Sequence, residues 1–438
     1  MLKPPTRPGR GANVHDVRRA NQSALLRLLF FGGRMSRQEL ADETGLSAGT
    51  VTTVVGRLIE QGLISEAGTE DSEGGRPRIL LEVAANRGLA IGIEVGETRV
   101  RVEAFDLALQ KVGASDRPVA TGYRDPEGIV ELISDALGEV LLGAGADATA
   151  IWGIGVGVSG IVDQGANPLV HAASFGWHDV PLAAMLRDRF DVPVIVDNGA
   201  KALGQAEMWR GAGRGARHAV VALLGTGVGA AVFTDGNLYR GAHSSAGEWG
   251  HTPIMVGGRS CRCGSRGCLE AYVGGLAIAE QWAALRGDAD WKSGDQEAAI
   301  ADLVASIGRL PRADQLVLEV ATNLGAGFAT LLNLFNPERI VLSGWVGLAL
   351  GPKMLDEVRA QTKAYALQPP FEQVEIVLGE LGPDAVALGA ATLVVDQILA
   401  GGLPASASRP RPGAGVRTVS GVGVRARRPV ATRSQLTR

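Results

Sequence analysis

The sequence is poor in cysteine and in aromatic residues: 3 of its 438 residues are cysteine, and 5% are Phe, Trp or Tyr. All the cysteines lie in one short segment, Cys261 to Cys268, which argues against the disulfide framework of a small secreted protein. No stretch reaches the ~18 apolar residues that a membrane helix requires, and Met1 to Gly11 lacks the apolar core of a secretory leader. We therefore expect a cytoplasmic protein that does not contact a membrane.

The formal net charge of −3 conceals an uneven distribution of charge along the chain. Residues 1–80 have an excess of 2 positive charges, residues 81–400 an excess of 13 negative charges, and residues 401–438 contain 8 arginines and no acid. We predict four regions: a disordered tail over 1–14, a DNA-binding domain over 15–84, a glycine-rich α/β domain over 85–400, and a disordered tail over 401–438. The charge of both ends suits a polyanion such as DNA.

Residues 15–84 have the pattern of a winged helix-turn-helix domain. We predict helices over Asn21–Phe31, from the Ser36 capping box to Thr44, and from Ala48 to about Gln61. Apolar residues at helical spacing (Val51, Val55 and Leu58) would pack the third helix inward. A hairpin follows, with strands at 62–64 and 78–81 and a basic Gly-Arg-Pro-Arg wing over 75–78.

The outer face of the third helix is predicted to lie in the major groove of DNA. Its threonines can contact base edges or phosphates, its arginine a phosphate, and the wing arginines an A·T-rich minor groove. The predicted DNA-binding residues are Ser47, Thr50, Thr53, Arg57, Arg76 and Arg78. The alternative interpretation of this segment is a small helical domain that binds another protein.

A histidine and the three cysteines have the spacing of a metal site. His251 precedes Cys261 by ten positions, and Cys263 and Cys268 follow, with two glycines between them that allow a tight turn. Three thiolates and one imidazole form a closed tetrahedral site, so we predict a structural Zn²⁺ held by His251, Cys261, Cys263 and Cys268. The alternative is a set of free core cysteines.

The motifs around this cluster resemble those of the ROK family of bacterial repressors and sugar kinases. They are a glycine-rich turn over 224–229, a Gly-Glu-x-Gly-His segment over 247–251, and Cys-x-Cys-Gly-x-x-Gly-Cys-x-Glu over 261–270. The resemblance extends from about Asn21 to Leu399, and the N-terminal module is similar to that of the repressor branch. It implies an actin-like (ribonuclease H-like, sugar-kinase-type) α/β domain with lobe 1 at about 85–210 and 385–400, lobe 2 at about 211–384, and a sugar bound between them.

The resemblance also implies which residues bind the sugar. They are an asparagine, two carboxylates, a histidine that binds zinc through its other nitrogen, and a serine where relatives often have Asn: Asn198, Glu248, Glu270, His251 and Ser174. Carboxylates and amides suit this role because they make directional hydrogen bonds to vicinal hydroxyls.

Two departures from the kinase pattern predict that the protein is not an enzyme. Gly199 stands where kinases of the family have the Asp that deprotonates the sugar hydroxyl, and glycine cannot act as a base. In the first phosphate loop, Glu94 replaces the magnesium-associated Asp and Glu97 replaces a glycine beside the triphosphate. Asp197, on the other side of Asn198, is a poor substitute for the base because neighbouring side chains in an extended segment point in opposite directions.

The leading hypothesis is a transcription regulator, expected to act as a repressor, that binds operator DNA as a homodimer or tetramer and responds to a sugar or sugar phosphate. The alternatives are an ATP-dependent sugar kinase of the ROK family and a scaffold protein with an inactive kinase fold. The basic helix and wing argue against a scaffold, and Gly199 and Glu97 argue against a kinase.

Overall fold

The computed structural model describes residues 13–70, 77–120, 123, 125–165, 167–288, 290–292 and 295–401. Arg76, residues 71–75 before it and residues 402–438 of the predicted C-terminal tail lie outside the described residues, as do residues 1–12 of the predicted N-terminal tail.

The N-terminal domain contains three helices and a small antiparallel sheet. Its elements are α1 (Val14–Gly32), β1 (Met35–Ser36), α2 (Arg37–Thr44), α3 (Ala48–Glu60), β2 (Ile64–Glu70) and β3 (Arg78–Val83), with strand order β1-β3-β2. The first helix begins at Val14 and not at Asn21 as predicted. The reason is a second capping box, in which Asn13 and Asp16 satisfy each other's backbone N–H groups.

The helix-turn-helix itself follows the prediction closely. The Ser36 side chain accepts a hydrogen bond from the Glu39 N–H while the Glu39 carboxylate accepts from the Ser36 N–H, so the predicted capping box is confirmed. Gly45 ends α2 at φ 68°, a left-handed conformation that favours glycine, and Ser47 caps α3. The residues predicted to face inward are buried, together with one that was not singled out: Val51, Val55, Leu58 and Val54.

Lobe 1 is built on a five-stranded sheet of order β11-β7-β4-β5-β6. Its elements are β4 (Leu89–Val95), β5 (Arg99–Phe105), β6 (Lys111–Pro118), α4 (Pro126–Gly143), β7 (Ile151–Val158), β8 (Ile161–Val162), β9 (Val170–Ala172), β10 (Trp177–Val180), α5 (Leu182–Arg189), β11 (Val194–Asn198) and α6 (Gly199–Arg210). Strands β4, β7 and β11 are parallel, so their carboxyl ends meet at one edge of the sheet. The short strands β8, β9 and β10 form a separate antiparallel sheet.

Lobe 2 has a second five-stranded sheet, of order β14-β13-β12-β15-β16, covered by helices. Its elements are β12 (Ala219–Leu224), β13 (Val228–Thr234), β14 (Asn237–Leu238), α7 (Glu270–Val273), α8 (Gly275–Arg286), α9 (Gln296–Ser306), α10 (Pro311–Phe335), β15 (Arg339–Ser343), α11 (Trp345–Tyr365), α12 (Gln368–Gln373) and β16 (Glu375–Leu378). The last helix, α13 (Ala385–Gly401), returns to lobe 1. The predicted fold class, a winged helix-turn-helix joined to a two-lobed α/β domain, is confirmed.

Helix α13 packs against the lobe 1 sheet at unusually short range. A Cβ at Gly92 of β4 would lie 1.9 Å from the Ala387 carbonyl oxygen, and one at Gly155 of β7 would lie 1.9 Å from that of Ala390. Both strands therefore require glycine where the helix backbone crosses them.

Within the part of the N-terminal domain that the structure describes, the core is continuous with that of lobe 1. A single cluster of buried apolar side chains joins residues of α1, α2 and α3, such as Leu26 and Leu40, to residues of α13, such as Val394 and Ile398. An ion pair between Arg27 and Asp396 at 2.6 Å lies beside this contact. The DNA-binding domain is thus packed directly onto the last helix of lobe 1.

One described helix, α10, is long and apolar enough to cross a membrane by length and composition alone. Of its most apolar 18-residue window, 61% is buried inside the protein, as in the core helix of a soluble domain. Residues such as Leu324 and Phe328 belong to the core of lobe 2.

Candidate functional site

A cleft lies between the two lobes at the carboxyl edge of the lobe 1 sheet. The ends of β4, β7 and β11 form one wall, and the glycine-rich turn 225–229 of lobe 2 forms the other. Ligands of α/β proteins commonly bind at such an edge, because parallel strands end there and leave loops free to carry polar side chains. All five residues predicted to bind a sugar line this cleft: Ser174, Asn198, Glu248, His251 and Glu270. Their placement together agrees with a shared site, although sugar contact itself remains a prediction.

Asn198 ends β11 and caps α6. Its side-chain oxygen accepts hydrogen bonds from the N–H groups of Ala200 and Lys201, and its amide nitrogen donates to the Gly160 carbonyl at 2.7 Å. One amide hydrogen is left to face a ligand. Because the cap fixes the side chain, any ligand that Asn198 binds also contacts the first turn of α6.

Two carboxylates predicted to bind the sugar, those of Glu270 and Glu248, lie in the cleft. Glu270 is buried, and its Oε2 accepts a hydrogen bond from the Val228 N–H at 2.9 Å. A Cβ at Gly227 would lie 2.6 Å from that oxygen, so this turn requires glycine for close approach. Burial raises the pKa of the Glu248 carboxyl above its ordinary value, while nearby His251 and Lys201 act in the opposite direction.

A buried charge cluster beneath the cleft escaped the sequence analysis. Asp197 is 1% exposed, and its Oδ2 accepts a hydrogen bond from Arg240 at 2.6 Å. Lys201, which is also buried, donates to the Ser244 carbonyl, and burial lowers the pKa of its ammonium group below the ordinary value. These contacts hold the segment before Glu248 against α6. Asp197 is thereby occupied below the cleft, in agreement with the expectation that it cannot replace a base at position 199.

The predicted metal ligands converge on one point. The ligand atoms of His251, Cys261, Cys263 and Cys268 all lie within 4.8 Å of one another. The Cys261 Sγ lies 3.7 Å from the His251 Nδ1, and the Cys263 and Cys268 Sγ atoms are 3.8 Å apart. For metal–sulfur bonds of about 2.3 Å, tetrahedral ligands lie about 3.8 Å apart. The four side chains therefore fit a tetrahedral metal ion, with the Nε2 of His251 left for another partner.

The first loop of lobe 1 differs from the sequence expectation in one respect. Burial raises the pKa of Glu94 to about 7, and its Oε2 has no hydrogen-bond partner among the described residues. Glu97 was expected to oppose the phosphates of a bound nucleotide. The structure pairs it instead with Arg262 of lobe 2 at 2.5 Å. The Arg262 charge partly compensates the repulsion between Glu97 and a nucleotide phosphate. Glu97 therefore opposes nucleotide binding less strongly than the sequence indicated.

The predicted DNA-contacting residues of α3 lie on one exposed surface. Ser47, Thr53 and Arg57 are exposed and Thr50 is half-buried, with its hydroxyl 2.9 Å from that of Ser47. Thr52, which was not predicted, shares this face. A Cβ at Gly49 or at Gly56 on the same face would meet no atom within 4 Å. The helix backbone is therefore open to close approach by DNA at these two positions. Arg78 is exposed at the start of β3, opposite Glu70.

Comparison with known proteins gives two family matches. A model described as the ROK family matches residues 90–397, and one described as a winged helix-turn-helix DNA-binding domain matches residues 18–65. The chain is similar to a putative xylose repressor of Caldicellulosiruptor sp. (strain Rt8B.4), with 29% identity over 395 residues, 88% of this chain and 97% of the relative. It is also similar to a glucokinase of Halalkalibacterium halodurans, with 34% identity over 322 residues, 70% of this chain and 95% of the relative.

A solved structure with the same architecture is that of a ROK family transcriptional regulator described as a homologue of the E. coli MLC protein. The likeness has a TM-score of 0.75 at 23% identity and covers 89% of this chain and 98% of the other. At this identity it shows the fold. The family match covers most of the chain and includes every residue of the cleft, while the second match covers α1, α2 and α3. The chain therefore belongs to the ROK family and carries a winged helix-turn-helix DNA-binding domain in front of its ROK domain.

Proposed function

We propose that the protein is a sugar-responsive transcription regulator of carbohydrate metabolism, acting as a repressor in the cytoplasm. It binds operator DNA through α3 and the wing, as a homodimer or tetramer, and binds a sugar or sugar phosphate in the cleft. Similarity to the xylose repressor over 88% of the chain supports this function, because that similarity includes both the DNA-binding and the sugar-binding parts. The glucokinase, in contrast, matches 70% of the chain.

The observation that carries the proposal is a pair of helices that extend from the cleft to the DNA-binding domain. Helix α6 begins directly after Asn198 in the cleft. At its other end the ring of Trp209 lies 5.5 Å from that of Phe30 and 5.1 Å from that of Phe31, both in α1. The Arg210 guanidinium lies 5.3 Å from the Phe30 ring. A helix of this length spans about 18 Å.

Helix α13 follows the same course. Val386, in its first turn, lines the cleft, while Asp396 and the Ala400 carbonyl near its end contact Arg27 and Arg19 of α1. A Cβ at Gly389 would lie 2.0 Å from the Ala202 carbonyl oxygen, so α6 and α13 are in backbone contact. The two helices therefore move as one body, and a shift of the cleft end on sugar binding displaces α1.

The metal centre is assigned to zinc on its ligands. Thiolates and imidazole in a closed tetrahedral set are the ligands that structural zinc prefers. A metal bound to the Nδ1 of His251, which lies 3.7 Å from the Cys261 Sγ, would fix the tautomer of the ring, so that Nε2 would carry the hydrogen offered to a ligand. The metal thus orients one of the proposed sugar contacts and takes no part in chemistry.

We expect about one zinc per chain in protein purified without chelators. Cys263→Ser removes one thiolate and should reduce the bound zinc to a small fraction, as measured by plasma emission spectrometry. Ser265→Ala, in the same loop, is the matched control and should retain the metal. Metal-free wild-type protein, or a Cys263→Ser variant with full zinc content, would contradict the assignment.

Arg57→Ala should weaken operator binding and flatten the dependence of log affinity on log salt by roughly one unit, because it removes one phosphate contact. The operator is first selected from a pool of genomic fragments with the wild-type protein, and affinities are then measured by fluorescence anisotropy at several salt concentrations. Arg78→Ala tests the wing in the same way. Arg189→Ala, an exposed arginine on α5, is the control and should behave like the wild type. Unchanged affinity in both Arg57→Ala and Arg78→Ala would exclude this docking surface.

The protein should not phosphorylate sugars at a physiological rate. General-base catalysis contributes a factor of about 10² to 10⁴, and Gly199 provides no base. A Cβ at position 199 would meet no atom closer than 3.6 Å, so Gly199→Asp fits the structure and tests chemistry without steric damage.

Gly199→Asp alone should restore little activity, because Glu94 and Glu97 still depart from the phosphate-loop pattern of the family's kinases. The triple variant with Glu97→Gly and Glu94→Asp should recover a trace, measured by coupled ADP release with a panel of sugars. Rapid sugar-dependent ATP consumption by the wild type, free of host kinases, would favour the kinase alternative that the glucokinase similarity supports.

A further inference from the structure

Arg262 connects the two lobes across the mouth of the cleft. Its Nη1 donates to the Glu97 Oε2 at 2.5 Å, and its Nε and Nη2 lie 3.5 Å from the Glu270 Oε1. Glu97 belongs to the turn between β4 and β5 in lobe 1, whereas Glu270 begins α7 in lobe 2. The Arg262 guanidinium thus contacts Glu97 in lobe 1 and Glu270, a carboxylate proposed to bind the sugar.

The base of Arg262 is fixed independently of lobe 1. It lies between Cys261 and Cys263 in a tight turn, in which the Cys261 N–H donates to the Ser265 carbonyl at 2.9 Å and the Gly264 N–H donates to the Cys261 carbonyl at 3.0 Å. Both of its neighbours in sequence are metal ligands in the proposed site. The backbone hydrogen bonds of this turn fix the position from which the guanidinium reaches Glu97. Less conformational entropy is therefore lost when the ion pair forms.

Glu270 is held from two sides as a result. Its Oε2 accepts from the Val228 N–H, and its Oε1 faces Arg262. Without the arginine, Oε1 would keep only the 3.9 Å contact with the Cys261 Sγ, and Glu97, Glu248 and Glu270 would share the cleft with one fewer cation. The arginine thus fixes the direction in which Glu270 presents its carboxylate.

A second contact of the same turn supports an interlobe role. The Thr98 hydroxyl donates to the Glu297 Oε1 at 3.4 Å, and Glu297 belongs to α9 of lobe 2. The side chains of Glu97 and Arg262 are 19% and 33% exposed, so the pair is partly shielded from solvent. The turn 96–98 is therefore a place where lobe 1 rests on lobe 2.

We propose that Arg262 is a positioning residue: its ion pair with Glu97 acts as a latch that sets the resting separation of the lobes, and its contact with Glu270 orients that carboxylate for the ligand. This inference rests on the proposed function in assigning Glu270 to the sugar. Since the latch is formed by side chains of this chain alone, it can be tested without sugar or DNA.

The test is amide hydrogen exchange of the full-length, zinc-containing protein, resolved for the turn 96–99 and for Val228. Glu97→Gln and Arg262→Gln should each raise exchange in the turn by roughly threefold to tenfold, and the double variant should add no more, because both remove one contact. Arg262→Gln should also raise exchange at Val228, whereas Glu97→Gln should not. Arg266→Gln in the same loop and Glu131→Gln on the surface of α4 are the controls and should match the wild type.

The variant Arg262→Lys distinguishes loss of the contact that positions Glu270 from a general disturbance of the loop 261–268. A lysine retains a charge for Glu97 but lacks the fork that also meets Glu270, so it should restore protection of the turn and leave Val228 exposed to exchange. Unchanged exchange in Glu97→Gln, or fully additive effects in the double variant, would overturn the latch. If Arg262→Gln loses zinc, Glu97→Gln still decides the question. If the wild type bound no operator DNA, the proposed regulatory function would be refuted, but the hydrogen-exchange test of the latch would still stand.

Discussion

The structure depends on the close packing of α13, which brings backbone against backbone at three glycines. Gly92 and Gly155 let the helix lie on the lobe 1 sheet, and Gly389 lets it touch α6. A methyl group at any of these positions would overlap a carbonyl oxygen, and overpacking of this kind is destabilising by about 1–3 kcal/mol or more. Because the same helix is buried against α1, the sheet that carries the cleft and the domain that carries the DNA-binding surface share one core.

This shared core changes how the two functions are related. Two domains joined by a flexible linker would bind sugar and DNA independently, whereas a shared core requires that a movement of one be accommodated by the other. Asn198 supplies a direct connection, because it lines the cleft and caps α6 with the same side chain. Changes in the cleft that alter this cap therefore act on the helix that carries Trp209.

Much of the local structure could be predicted from the sequence, because the signals were local. The Ser36 capping box, the inward face of α3 and the convergence of His251 with the cysteines depend on residues close together in the chain. The missed start of α1 was also local, since an Asn13–Asp16 capping box was readable but not recognised.

The contacts that no pattern indicated join residues far apart in sequence. Arg262 meets Glu97 from 165 residues away, and no spacing rule identifies the partner of an arginine in another lobe. Lys201 resembles an ordinary helix-surface lysine until the loop containing Ser244 covers it. For this reason Glu97 was expected to oppose the phosphates of a nucleotide, whereas the structure pairs its charge with that of Arg262.

We propose that sugar binding in the cleft changes operator affinity through α6 and its aromatic contact with α1. It is tested most directly by Trp209→Leu, which removes the contact with Phe30 and Phe31 far from both binding surfaces. Operator affinity is measured with and without a saturating concentration of the sugar that most raises the melting temperature of the wild type. Wild-type coupling is expected to be about 5-fold to 150-fold. Trp209→Leu should bind sugar normally but show a clearly smaller ratio than the wild type, because only the contacts of α13 with α1 remain, and a variant that keeps the full wild-type ratio would contradict this coupling.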